Sequence, residues 1–259
     1  MKPVNRREKI VDLVRNLTKV SVDDLADHLR TSKETIRRDL TILAEEGRIR
    51  KVHGSALLPE LRGESAFHIR MNEAAPEKRS VGARAAELFG SGDALFVDTG
   101  TTTLFFLEAL AAKSGLTVIT NSILGAQAMA RGKGQNKIFI LGGEYYSDAS
   151  ENLGALTIEQ IGRFNAHHAV LTVGAITPEG ILDFSLEEAE VARVMVQRAK
   201  SVTVVADGAK MDREALFKVC ALEQISRLVI SRPPQGALAE ALALAKVEVI
   251  VATPALPSA

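Results

Sequence analysis

Basic side chains gather on one face of the segment 31–45 and in the run that follows it. At helical spacing, an apolar stripe is formed by Ile36, Leu40 and Leu43. A different face carries Lys33 and Arg37, with Arg38 beside them. The phosphates and base edges of a DNA major groove require such a cationic helix face. The pattern therefore predicts a DNA-reading helix, although a solvated charged helix has the same composition.

A glycine at position 47 ends this predicted helix, and an extended run follows it up to Gly54. Glycine tolerates the left-handed backbone that helix ends commonly need. The basic positions of the run alternate along it and are Arg48, Arg50, Lys51 and His53. We therefore predict a basic hairpin, or wing, beside the helix.

Two amphipathic segments precede the basic one. Residues 5–17 place Ile10, Leu13, Val14 and Leu17 at the spacing of one helix face. Ser21 opens a second helical run at 21–29, with Asp24 as a capping-box-like partner. Only Arg30 and Thr31 separate the second helix from the third, which is typical of a helix-turn-helix. The sequence predicts a winged helix-turn-helix DNA-binding domain over residues 1–58.

The rest of the chain has the pattern of an α/β domain. Residues 59–76 contain helix-breaking prolines and glycine and are predicted to be a linker. Beyond it, apolar strand candidates lie at 94–98, 116–120, 137–141, 168–174, 202–206, 227–231 and 247–251. Helical runs between them include 102–112, 186–200 and 236–246. Near-continuous apolar strands are typical of sheets covered on both faces, so residues 77–253 predict a mainly parallel sheet.

Polar groups follow several of these predicted strands. In a parallel sheet, ligands bind beyond the carboxyl ends of the strands. A glycine and three threonines at 100–103 would place N–H groups and hydroxyls at a helix N-terminus, which suits a phosphate or carboxylate. Lys210 would add a cation, and Asp98 and Asp183 would accept hydrogen bonds from hydroxyls. The candidate effector residues are Asp98, Gly100, Thr101, Thr102, Thr103, Thr120, Asn121, Gly142, Gly143, Gly174, Asp183 and Lys210.

Other chemistry finds little support in the sequence. The five histidines form no ligand set, so no metal and no cofactor are expected. No nucleophile elbow or P-loop occurs, and no catalytic residue is assigned. The acidic residues Glu187, Glu188 and Glu190 are interpreted as a solvated helix start, although a general base acting on a sugar phosphate is the alternative.

Charge is distributed unevenly over a chain whose formal net charge is zero. Residues 1–62 carry 14 Lys and Arg against 10 Asp and Glu, and the remainder carries 18 against 22. A basic first quarter on an acidic body is the asymmetry expected when a small domain meets DNA. Cys220 is the only cysteine, and there is no long apolar run, which predicts a cytoplasmic protein without a membrane segment.

The first quarter resembles the DeoR-type bacterial transcriptional regulators. The resemblance lies in TIRRDL at 35–40 and in RKVHGSA at 50–56, where Ser55 replaces the usual second glycine. It implies that the operator is faced by Ser32, Lys33, Thr35, Arg37 and Arg38. It also implies that the wing residues Arg50, Lys51 and His53 bind phosphates of the DNA.

The body resembles the sensor domain of the same regulators. The matching motifs, in order, are DTGTTT, TNS, GGE, EEAEVAR and VADGAK. Such domains are similar in fold to sugar-phosphate isomerases and sense phosphorylated sugars or polyols. The run 181–184 with 191–193 looks most like the glycerol-3-phosphate-responsive branch, so glycerol 3-phosphate is the first choice of effector. Two hydroxyls usual in the family are lost at Gly208 and Ala209.

The sequence as a whole predicts a homo-oligomeric repressor that a phosphorylated sugar or polyol releases from double-stranded operator DNA. The oligomer is implied by the resemblance and by helix-turn-helix geometry. One alternative is a sugar-phosphate isomerase or deaminase-like enzyme with an appended DNA-binding domain. Another is an architectural DNA binder whose affinity for DNA ignores every metabolite.

Overall fold

The computed structural model describes residues 6–7, 9–11, 13, 19–45, 50–52, 55–57, 65–211 and 213–252. The chain divides into two units, Met1–Ile69 and Arg70–Ala259. Their boundary falls within the predicted linker 59–76, and the predicted domain limits 1–58 and 77–253 stay predictions. Across the described ranges, no helix combines the length and the apolar character that crossing a bilayer requires.

The helices of the first unit pack around a small apolar core. Residues 6–7, 9–11 and 13 are helical, and they are followed by α1 (Val22–His28) and α2 (Lys33–Glu45). Ser21 caps α1, because its hydroxyl accepts a hydrogen bond from the Asp24 N–H at 3.0 Å. The fully buried side chains of the core are Ile10, Leu25, Ile36, Leu40 and Leu43. Each contributes roughly 1.5–3 kcal/mol by leaving water, and the predicted helix-turn-helix is confirmed.

Three short strands form the wing of the first unit. They are β1 (Lys19–Ser21), β2 (Arg50–Val52) and β3 (Ser55–Leu57). The antiparallel order is β1-β3-β2, with Val52 opposite Ser55 across the hairpin. The predicted basic hairpin is therefore present after α2. His53, Gly54 and the side chains of β2 and β3 lie outside the described residues.

A seven-stranded parallel sheet forms the centre of the second unit. Its strands are β4 (Ala94–Val97), β5 (Thr117–Thr120), β6 (Lys137–Ile140), β9 (Ala166–Leu171), β12 (Ala199–Ala206), β14 (Arg227–Ile230) and β15 (Glu248–Val251). The spatial order is β15-β14-β12-β9-β4-β5-β6. The chain builds β4, β5 and β6 to one side and then β9, β12, β14 and β15 to the other. The topological switch point therefore lies between β4 and β9, and all seven predicted strands are confirmed.

Helices cover both faces of this sheet. They are α4 (Ala75–Ala86), α5 (Thr101–Leu110), α6 (Ile123–Arg131), α7 (Ala155–Ile161), α8 (Leu186–Arg198) and α9 (Gly236–Leu244), and a short α3 (Phe67–Arg70) precedes them. Leu95 and Val97 of β4 pack with Phe106 of α5, whereas Phe96 packs on the opposite face with Met195 of α8. Strands covered on both sides are apolar at every position, which explains the sequence pattern.

Two small antiparallel sheets escaped prediction. One pairs β7 (Glu144–Tyr146) with β8 (Glu151–Leu153), and the other has the order β10 (Ala175–Thr177), β11 (Gly180–Asp183) and β13 (Phe217–Cys220). Gly180 has φ of 135°, and a Cβ there would lie 2.3 Å from the Cys220 carbonyl oxygen, so the β10–β11 turn requires glycine. These strands of three or four residues are too short to show alternation. They bring Glu151 and Asp183 to the carboxyl ends of the parallel strands.

Candidate functional site

A buried carboxylate links the ends of β4 and β9 at the switch point. Asp98 follows β4, and both of its carboxylate oxygens accept the Thr172 N–H that follows β9, at 3.0 and 2.9 Å. Gly100 lies against the same loop, where a Cβ would come within 2.2 Å of Thr172 Cγ2. The loop 98–100 is therefore held tightly in the crevice where ligands of open parallel sheets bind.

The N-terminus of α5 opens into this crevice. Gly100 caps the helix without a side-chain hydrogen bond, and the first helical bond runs from the Leu104 N–H to the Gly100 carbonyl at 2.9 Å. The N–H groups before Leu104 therefore have no acceptor within the helix. Thr101, Thr102 and Thr103 are all buried around them. Together with the helix dipole, these N–H groups favour an anion.

Four carboxylates meet in a cavity beside this helix start. Its lining comprises Asp98, Thr99, Asn121, Glu151, Asp183, Glu188 and Val191. Burial raises the pKa of Asp98 and of Glu188 well above their ordinary values, and the pKa of Asp183 is raised for the same reason. Burial also raises the pKa of Glu151 to about 7. The cavity is thus rich in acceptors that hold protons more tightly than exposed acids do.

An amide oxygen in the cavity lacks a partner. Asn121 Nδ2 donates to Glu151 Oε2 and to the Asn152 carbonyl, both at 3.3 Å, which orients the amide. Asn121 Oδ1 is buried and, among the described residues, accepts no hydrogen bond. A buried polar group without a partner costs about 1–3 kcal/mol, so a ligand hydroxyl here would gain affinity. No group of acids, histidines or cysteine within the described ranges has the arrangement of a metal site.

The raised pKa of Glu151 predicts a pH-dependent stability. The folded protein holds the Glu151 proton up to about pH 7, whereas an exposed glutamate loses it near 4.5. The free energy of unfolding therefore falls as the pH rises between these values. Glu151→Gln cannot ionise, so at pH 8 it is expected to melt on the order of 5 °C higher than the wild type. At pH 4.5 the variant and the wild type are expected to melt at the same temperature. Thermal melts across this range test the prediction, and an equal gain at both pH values would contradict it.

Lys210 lies at the end of another strand of the sheet. It closes the 3-10 turn Gly208–Lys210 after β12, and burial lowers its pKa to about 7, with the charge of Arg213 acting in the same direction. Asp207 caps the turn by accepting the Ala209 N–H at 2.9 Å. Lys78 of α4, which sequence reasoning missed, places its Nζ 3.9 Å from Asp207 Oδ2. Two buried lysines therefore lie near this strand end.

The remaining predicted effector residues lie away from the cavity lining. Thr120 Oγ1 accepts the Ser122 N–H at 3.0 Å, which shapes the end of β5. Gly142 and Gly143 follow β6, where the Gly142 carbonyl accepts from Thr157 Oγ1 at 2.9 Å. Gly174 donates its N–H to the Leu182 carbonyl at 3.0 Å. These positions shape the strand ends, whereas Asp98, Asn121 and Asp183 line the cavity itself.

Sequence reasoning missed three polar residues of the cavity lining, Thr99, Glu151 and Glu188. The interpretation of the 187–190 glutamates as a solvated helix start is wrong for Glu188. Ser185 caps α8 by accepting the Glu188 N–H at 3.2 Å, and the Glu188 side chain lines the cavity, while Glu187 and Glu190 are exposed. The sequence held one signal for this position, because a helical wheel places Glu188 on a different face from Glu187 and Glu190.

The first unit presents a polar helix face to solvent. Ser32, Lys33, Arg37 and Arg38 are exposed and Thr35 is half-buried, opposite the apolar stripe. Ser32 caps α2, since its Oγ accepts the Thr35 N–H at 3.2 Å. Lys33 Nζ lies 2.9 Å from Asp23 Oδ2, an exposed pair of the kind that contributes little and can exchange for a phosphate. Arg50 and Lys51 belong to β2, and His53 lies outside the described residues.

Comparison with known protein families identifies the family to which a chain with these two sites belongs. The family model described as the DeoR-like helix-turn-helix domain matches residues 6–61. The model described as the DeoR C-terminal sensor domain matches residues 73–232, more than half of the chain. The chain belongs to the DeoR family. This DeoR-family protein is a DNA-binding transcriptional regulator, and the resemblance seen in its sequence motifs is confirmed.

Relatives span almost the whole of this DeoR-family chain. The glycerol-3-phosphate regulon repressor of Escherichia coli K12 is 30% identical over 243 residues, covering 93% of this chain and 96% of that protein. The HTH-type transcriptional repressor GlcR of Bacillus subtilis 168 is also 30% identical over 243 residues, covering 93% of each chain. Among solved structures, ribose 5-phosphate isomerase A of Methanocaldococcus jannaschii aligns with a TM-score of 0.39 at 12% identity, over 53% of this chain and 55% of that one.

Proposed function

We propose that this DeoR-family protein represses a carbohydrate or polyol operon and leaves the operator when a phosphorylated sugar or polyol binds its second unit. One observation carries the effector chemistry. The acceptor-rich cavity, where the buried Asn121 Oδ1 has no donor in the described part of the chain, lies beside the start of α5, which favours an anion. The cavity, of about 10 Å³, has room for one hydroxyl-sized group, so a ligand that fits both parts places a hydroxyl there and an anionic group at the start of α5.

The two parts of the site assign the two ends of the effector. The four carboxyl groups offer a phosphate no positive charge, so the hydroxyl end belongs with Asp98, Asn121 and Asp183. The phosphate belongs with the N–H groups at 101–103, and we assign the buried Lys210, which follows β12, as its cation. Thr120, Gly142, Gly143 and Gly174 shape the surrounding strand ends. Glycerol 3-phosphate has both ends and remains the first choice, in keeping with the regulon named for the Escherichia coli relative.

The DNA site uses the exposed face of α2. Its N-terminal residues Ser32, Lys33, Thr35, Arg37 and Arg38 enter the major groove, and the wing residues Arg50, Lys51 and His53 hold phosphates. Two copies of the chain then read two half-sites of one operator. The effector binds one arrangement of the assembly more tightly and so shifts the population away from the DNA-bound arrangement.

Binding assays on the full chain test this function. Glycerol 3-phosphate is expected to raise the melting temperature and to lower the fluorescence anisotropy of a labelled operator complex. Glycerol and inorganic phosphate each engage only half of the site and are expected to do neither at equal concentration. DNA binding that ignores a panel of phosphorylated sugars and polyols would instead indicate an architectural DNA binder.

A second candidate, sugar-phosphate isomerisation, has one observation in its favour. The pKa of Glu151, raised to about 7 by burial, suits a general base acting at neutral pH. Turnover assays with the same compounds distinguish the two functions. A sensor binds without turnover, whereas product formation that Glu151→Gln abolishes would establish the enzyme.

Removing the Asn121 amide oxygen should weaken the effector response. Asn121→Ala is expected to raise the effector concentration for half-release of the operator about tenfold, the effect of losing one ligand hydrogen bond. Asn136→Ala is the matched control. The Asn136 amide also makes structural hydrogen bonds: its Oδ1 accepts from the Leu116 N–H, and its Nδ2 donates to the Lys113 carbonyl. It lies outside the cavity. Anisotropy titrations that shift equally for both variants would contradict the assignment.

A further inference from the structure

One edge of the parallel sheet is open and apolar. Among the described strands, β6 pairs only with β5 and ends the sheet. Phe139 and Ile140 of β6 are 44% and 51% exposed. The Phe139 ring packs against Phe164 at a centroid distance of 5.3 Å. The unpaired N–H and C=O groups of such an edge are available to another strand.

The β7–β8 hairpin extends this apolar surface. Tyr145 and Tyr146 of β7 are 57% and 39% exposed. Asn152 Nδ2 donates to the Leu141 carbonyl at 2.8 Å, which ties the hairpin to the end of β6. We call Phe139, Ile140, Tyr145 and Tyr146 the β6–β7 surface. Single exposed apolar residues are ordinary, but four large ones at an open sheet edge and in the hairpin tied to it mark an interaction site, and aromatic side chains are enriched in interfaces.

We propose that the β6–β7 surface binds a second copy of this chain. A helix-turn-helix regulator reads two half-sites with two copies, so the protein needs a self-complementary contact. An edge strand paired antiparallel with its own copy gives a closed two-fold interface. Lys137 is exposed at the start of β6 and Glu144 is exposed at the start of β7. Antiparallel pairing brings Lys137 of each copy toward Glu144 of the other, so the charges are complementary.

The opposite edge of the sheet fits this role less well. Val249 and Val251 of β15 are exposed, but β15 has no aromatic residue. Glu248 of β15 is already bonded within the chain, accepting from Arg227 Nε at 3.1 Å. This edge therefore supplies a matched control for substitutions on β6.

The hairpin also connects the proposed interface to the cavity. Its outer strand β7 is exposed, whereas its inner strand β8 is buried and carries Glu151, which lines the cavity. A ligand and a second copy would thus contact opposite strands of one hairpin. Coupling between them follows if each prefers one position of the hairpin. The coupling rests on the proposed effector site, whereas the interface rests only on the proposed reading of the operator by two copies.

Sedimentation of the full chain tests the interface. Ile140→Lys and Tyr145→Ser are each expected to raise the dimer dissociation constant about 30-fold, the effect of losing an interface hot spot. Val249→Lys adds the same charge to the opposite edge and is expected to leave the dissociation constant unchanged. Circular dichroism and melting temperatures establish that each variant is folded. Tyr145→Ser, a change on an exposed strand, decides the matter if Ile140→Lys does not fold.

Three results would overturn the proposal. They are a wild-type chain that sediments as a monomer at the concentrations at which it binds its operator, an unchanged dissociation constant in folded β6–β7 variants, and dissociation caused by Val249→Lys. The thermal shift with glycerol 3-phosphate is measured on the same samples. A sedimentation result that contradicts the interface does not affect the effector site. The absence of a thermal shift contradicts the effector site and does not affect the interface.

Discussion

Replacing Arg37 with alanine is expected to weaken binding to the operator by about 1–3 kcal/mol, with little effect on unrelated DNA. Arg37 is exposed on α2, opposite the buried Ile36, Leu40 and Leu43. Its partner within the chain, Glu34 Oε2 at 3.6 Å from Nη1, is itself exposed and holds it weakly. A guanidinium in this position can make two parallel hydrogen bonds to a guanine edge, so its loss relaxes specificity at one base pair.

Two further variants separate base reading from phosphate binding. Lys51→Ala, in the wing, is expected to weaken operator and unrelated DNA alike and to reduce the salt dependence of binding. Arg163→Ala removes an exposed arginine from the second unit, where it pairs with Glu159. It is expected to change neither the operator affinity nor the salt dependence of binding. Anisotropy titrations at several salt concentrations give all three results. Unchanged operator affinity in both Arg37→Ala and Lys51→Ala would refute the docking of α2.

The parallel sheet was predictable because its strands are buried on both faces. Each strand reads as an apolar run, and Leu95, Phe96 and Val97 show the reason, since neighbouring side chains enter opposite cores. The β7–β8 hairpin was not predictable. β7 is exposed throughout, and β8 is the buried triplet Glu151–Leu153, whose first two residues are polar, so neither has the pattern of a half-buried strand. Their pairing depends on tertiary contacts such as that between Asn152 and Leu141.

The same contrast explains which cavity residues could be found. Asp98 and Asn121 directly follow predicted strands, and the rule that ligands bind at strand ends identifies them. Glu151 reaches the cavity through the unpredicted hairpin, and Glu188 reaches it from the first turn of α8. An acidic first turn is favourable for any helix, so composition alone could not separate Glu188 from its solvated neighbours. The helical wheel separates Glu188 from Glu187 and Glu190, but only the packing of α8 shows that its face lines the cavity.

Replacing Thr102 with valine and Lys210 with alanine together is expected to abolish release by the effector while preserving DNA binding. Thr102 is buried in the first turn of α5, and valine keeps its shape without the hydroxyl. Lys210 is buried with its pKa lowered to about 7, so an anion that restores its charge gains affinity. Two charge-assisted contacts at about 1.5–3 kcal/mol each predict a loss of effector affinity of about 100-fold or more.

The control is a second double variant with the same two types of substitution, Thr203→Val and Lys200→Ala. Both positions lie in β12, the strand that precedes Lys210. Thr203 Oγ1 is buried and, within the described part of the chain, has no hydrogen-bond partner, so valine should be tolerated. Because anion binding raises the pKa of Lys210, effector affinity of the wild type and of the control should fall as the pH rises above about 7. Operator-release titrations at pH 7 and 8.5 measure both effects. Normal release in the Thr102 and Lys210 double variant would remove the phosphate site, and a pH dependence that persists there would assign the proton to another group.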